Sequence, residues 1–97
     1  MSTKSITEMS TDIDAEFDRI VAEGNDDELF ASGYLRGHFD LVVARLTMAE
    51  EEDQAKFWPA LYASVAEHAG ELNDSDRVLV EDMVTRLEQK AKTTAAR

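Results

Sequence analysis

The sequence has no cysteine, one proline and only two histidines, and its basic residues are outnumbered two to one by acidic ones. Each shortage excludes something. Without cysteine there are no disulfides, no thiolate metal sites and no cysteine nucleophile, which fits a reducing compartment. One proline and four glycines leave few breaks, so long helices are expected. Ten Lys and Arg against 21 Asp and Glu give a net charge of −11. That field repels phosphate backbones and anionic headgroups, so neither a nucleic acid nor a membrane is an expected partner. No apolar run reaches membrane-spanning length, and Met1-Ser2-Thr3-Lys4-Ser5 is polar where a signal core would be apolar. A cytoplasmic location is the expectation.

What is present suits one small domain. The chain has 97 residues, 43% of them apolar, enough for a single core. Residues 1–70 hold 15 acids and 5 bases, and residues 71–97 hold 6 and 5, so the negative charge belongs to the first three-quarters. A basic protein partner is compatible with it; so is plain solubility. Residues 1–9 lack periodicity and read as a flexible tail. Residues 10–92 read as one helical domain, and 93–97 as a frayed tail.

Four helices account for the domain. Ser10 or Thr11 can cap the first, with Asp12 and Asp14 in its first turn. Ile13, Phe17, Ile20 and Val21 then recur on one face. Gly24 and Asn25 suit a left-handed stop. Asp26 and Asp27 are the expected caps of the second helix, which extends to about Met48. Phe30, Tyr34, Leu41 and Met48 share one arc of it. Leu35, Phe39, Val42 and Leu46 share another, leaving Arg36, Asp40 and Thr47 as the solvated stripe. A helix apolar over most of its circumference is central and largely buried. Glu50-Glu51-Glu52-Asp53 reads as a solvated run or first turn. The third helix covers about 53–69, with Pro59 either starting it or kinking it. Asn73, with Asp76 three residues on, caps a fourth helix carrying Leu79, Val80, Met83, Val84, Leu87 and Ala91. The expected fold is all-α, a compact four-helix up-and-down bundle with a central, mostly buried second helix.

Catalytic sets are missing from the pattern. No nucleophile elbow or phosphate loop occurs, and neither His38 nor His68 has a Glu three positions earlier, as di-metal bundles require. No enzymatic activity, metal or cofactor is expected. Two features remain. Gly33 and Gly37 sit inside a helix, where each costs roughly 1 kcal/mol against Ala. With Ala44 they form a line of small residues that either a neighbouring helix or a partner approaches closely. Tyr34, His38 and Arg45 fall within about 40° of one another. They form either a satisfied polar seam or a pocket for an anion or small molecule, with Trp58 as a wall. The candidate residues are therefore Gly33, Tyr34, Arg36, Gly37, His38 and Arg45.

The run Asp26-Asp27-Glu28-Leu29-Phe30-Ala31-Ser32-Gly33-Tyr34-Leu35-Arg36-Gly37-His38 resembles the YfcL family of small bacterial proteins, mostly gammaproteobacterial. The likeness continues loosely through Gly70-Glu71-Leu72 and from Asp76 to Met83, and is weak in the first and third helices. It implies an all-helical domain of this length and supplies no activity or catalytic residue. The functional expectation is a non-enzymatic protein–protein interaction module, monomeric or weakly homodimeric. The alternative is a small-ligand or anion sensor built on the seam of the second helix.

Overall fold

The computed structural model describes residues 4–95, the side chains of Ala69 and of residues 93–95 excepted. Helix α1 spans Ile6–Glu23, α2 Asp26–Met48, α3 Gln54–Glu67 and α4 Asp74–Ala95, with a 3-10 turn at Ala69–Glu71. The described residues contain no strand. The fold is an all-α four-helix bundle in which α2 packs against the other three.

Helix α1 begins earlier than its sequence suggests. Ser5 is the cap, and Ser5 and Glu8 form a reciprocal capping box that satisfies two backbone donors. Ile6 and Met9 extend the stripe of Ile13, Phe17 and Ile20 by one turn and are buried. The reading of 4–9 as tail is therefore corrected; residues 1–3 lie outside the described residues. Val21, expected in the core, is exposed. The polar look of the segment hid two apolar residues at the right spacing.

The acidic run after α2 is ordered by that same helix end. Ile6 N–H donates to the Glu52 carbonyl at 3.0 Å. The Thr7 N–H and hydroxyl both donate to the Glu52 carboxylate at 2.9 Å. These bonds hold the Glu52 carboxyl below the usual carboxylate range, the Thr7 backbone bond first. Asp53 caps α3 by accepting from Ala55 N–H.

Two turn assignments change. Gly24 is extended (φ −76°), not left-handed. Glycine stands there for room: an added Cβ would lie 2.7 Å from the Ile20 carbonyl oxygen. Asn25, not Asp26 or Asp27, caps α2, in a second capping box with Glu28. Pro59, expected either to start α3 or to kink it, is the sixth residue of α3 and so lies inside the helix rather than at its start. Its missing N–H frees the Ala55 carbonyl, and both residues are exposed, so water can replace the bond. Asn73 caps α4 as expected, accepting from Asp76 N–H at 2.8 Å. The α4 backbone stays helical to Ala95 rather than fraying from 93; residues 96 and 97 lie outside the described residues.

The core is knit by aromatic edges. Phe17 of α1 meets Phe39 of α2, Phe39 meets Phe57 of α3, and Phe57 meets Trp58, with centroids 5.4, 5.1 and 4.9 Å apart. All three contacts are edge-on, the geometry the ring quadrupole prefers. Trp58 is thus core, its indole N–H bonded to Gln54 at 3.2 Å.

Candidate functional site

Helix α2 divides into an inner and an outer face. Ala31, Ser32, Leu35, Phe39 and Val42 face the core and are buried. The expected second buried arc is not buried. Phe30 is 39% exposed, Leu41 46% and Met48 85%. The helix is central in position but covered on one side only. Its apolar circumference reflects two different faces, one in the core and one open.

Gly33 and Gly37 lie on the open side. A Cβ built on either meets nothing within 4 Å. A neighbouring helix packed against these glycines is thereby excluded within the described residues. Ala44 is also exposed. Residues 30, 34, 37, 41, 44 and 48 are spaced alternately by four and three, which places them in one row along the helix. What sequence reasoning missed is that this row is exposed. The arc of Phe30, Tyr34, Leu41 and Met48 was legible in the sequence, but it was expected in the core, and Gly37 and Ala44 were not joined to it.

The expected solvated stripe is only partly so. Arg36 is pinned to α1, lying 5.2 Å from the Phe17 ring centroid, with Asp18 at 3.4 Å and Asp14 at 3.8 Å. Asp40 is exposed beside it. Burial raises the Asp14 carboxyl, and Asp40 and Asp18 raise it further against the pull of Arg36. One guanidinium thus serves an edge holding three carboxylates.

The polar seam takes in two of its three expected members. Tyr34 and His38 are half-buried, their rings 5.2 Å apart. The Tyr34 hydroxyl donates to Glu71 at 3.2 Å; burial, then that bond, raises its pKa. His38 Nδ1 bonds the buried Ser64 hydroxyl at 2.9 Å, and its ring lies 5.1 Å from that of His68. Nδ1–H of His68 donates to the Ser64 carbonyl at 3.0 Å. Burial first, then His68, depresses the His38 pKa, so its ring is neutral at pH 7. Arg45 is exposed and outside this contact. Ser64 and Glu71, which complete the seam, come from α3 and the 3-10 turn, and no spacing rule links them to α2. Among the described residues no buried side-chain polar atom lacks a partner. The Tyr34 hydroxyl and the two imidazole Nδ1 atoms are thus engaged with Glu71 and Ser64, and the carboxylate of Glu71 beside a neutral imidazole does not favour an anion.

A second polar cluster was unforeseen. Glu16, 5% exposed, is bound by Arg19 and lies 3.3 Å from Arg86 and 3.9 Å from Lys90. Arg86 also reaches Glu28 at 2.6 Å, joining α1, α2 and α4. The Arg19 bond is the chief cause that holds the Glu16 carboxyl below its ordinary value. Beside it a cleft of about 310 Å³ opens between Asn25, Asp27 and Ala31 of the α2 end and Leu79, Asp82 and Met83 of α4. No group of three or more described His, Asp or Glu residues is placed to hold a metal. No described helix is long and apolar enough to cross a membrane.

The class defined by these features is a small all-helical protein with paired internal polar groups and one uncovered apolar helix face. The sequence profile of the family described as "YfcL protein" matches residues 7–89, which take in α1 from its second residue and all of α3. The chain belongs to the YfcL family. It is 41% identical over 88 residues to the Escherichia coli (strain K12) protein called "Uncharacterized protein YfcL", covering 89% of this chain and 96% of that relative. No solved structure matches it.

Proposed function

We propose that this protein is a non-enzymatic interaction module whose contact surface is the outer face of α2. One observation carries the reading: the row Phe30, Tyr34, Gly37, Leu41, Ala44, Met48 runs the length of the central helix with large apolar members left in water. Two glycines that nothing in the bundle requires lie in or beside it. Exposed apolar rows of this extent mark contact sites. The cost of glycine in a helix has no return in folding here, and it has one if another surface must come close. The surface differs from the solvated stripe expected at Arg36, because that side chain is occupied by α1.

The test is affinity capture from the source cytosol with wild-type protein, Leu41→Asn and Val78→Asn. Val78 is exposed on α4, outside the α2 row, and serves as the control. Captured species should be lost with Leu41→Asn and kept with Val78→Asn, both variants retaining the helical circular dichroism of wild type. Equal capture by all three removes the reading.

A further inference from the structure

The occupant of the α2 face can be narrowed, given the reading of that face as the contact surface. Spacings of four and three average 3.5 residues, the period at which one helix lies along another at a shallow angle. A β-strand, with a period of two, would meet this row only in places. The row has Phe30 and Met48 at its ends, and between them the small Gly37 and Ala44 flank the exposed Leu41. Above Gly37 the space is open, so a second backbone can approach there.

Charge selects among helices. The α1 side of the row carries Asp14, Asp18 and Asp40 around the one guanidinium of Arg36. On the other side Glu71 holds the Tyr34 hydroxyl, and Asp26 and Asp27 stand at the helix start. Against these acids stands Arg45, exposed on the same helix but outside the row. A second copy of the chain would set −11 against −11 and bring the same acids together. A cationic partner would neutralise them. We propose that the outer face of α2 receives an amphipathic helix of a partner protein, apolar along one stripe and rich in Lys or Arg beside it.

The probe is a synthetic peptide of about three heptads with Leu on the seam and Lys at the flanks. Its comparators are a Glu-flanked version and a scrambled peptide of the same Lys content and no apolar stripe. Binding to the full chain is read by fluorescence anisotropy near physiological ionic strength, and the contact is placed by amide chemical-shift changes. The Lys-flanked helix should bind at least about tenfold tighter than either comparator, with shifts concentrated on residues 30–48. Gly37→Gln, which fills the open space and favours the helix, should weaken binding about tenfold with circular dichroism unchanged. Equal binding of the scrambled peptide, indifference to Gly37→Gln, or shifts confined to α4 would overturn the proposal. So would a dimer in sedimentation equilibrium that Gly37→Gln abolishes, which would make a second copy the occupant. Failure of the peptide while cellular capture still depends on Leu41 would sink the basic helix and leave the contact surface standing.

Discussion

The glycines of this chain are alike in sequence and opposite in consequence. Gly24 is fixed by its surroundings, with the Ile20 carbonyl oxygen 2.7 Å and the Ile20 Cγ2 3.1 Å from where a Cβ would be. Gly24→Ala must move backbone, and a loss of roughly 1–3 kcal/mol is expected. Gly33 and Gly37 have open space above them, so Ala there should stabilise by about 0.5–1 kcal/mol each. Urea unfolding of the three variants checks both signs. Destabilisation by Gly37→Ala would mean that the glycine serves the fold and not an external contact.

At the scale of elements, α2 and α3 are joined by the core and by the seam of Tyr34, His38, Ser64, His68 and Glu71. His38 titrates lower in the fold than its ordinary 6.5, chiefly through burial. The unfolded chain therefore takes up a proton near that pH while the folded one resists. Stability is full above about 6.5 and is lost as pH falls below it. His38→Gln should flatten the fall in midpoint denaturant between pH 7 and 5. An unchanged slope would show that the ring is as free to charge in the bundle as in water. Sequence reasoning placed Tyr34 and His38 together because helical spacing is enough for that. It could not supply Ser64 or Glu71, and it placed Arg45 with them although an exposed guanidinium gains more from water than from the seam.

The whole molecule carries −11 in 97 residues. Its described ion pairs are mostly half-exposed and so individually worth little, Glu16 being the buried exception. Net self-repulsion should outweigh them. Raising sodium chloride from about 0.01 to 0.15 M shortens the Debye length from roughly 30 to 8 Å, and the melting temperature should rise. A fall would mean that the pairs around Glu16 dominate instead.

Local rules were enough for the all-helical class, the number of helices, the cap at Asn73 and the core stripe of α4. Periodicity and capping are written within a few residues of one another, and the likeness in residues 26–38 already pointed to the family. Only the tertiary structure decided which apolar arc of α2 is inside. Two arcs of similar hydropathy compete for one core, and the bundle has helices on only one side of α2. Which arc they cover depends on contacts such as Phe17 with Phe39 and Phe39 with Phe57, made between residues far apart in the chain. The start of α1 was settled in the same way. Ser5 to Met9 look like a tail until Glu52, 45 positions on from Thr7, accepts its hydrogen bonds.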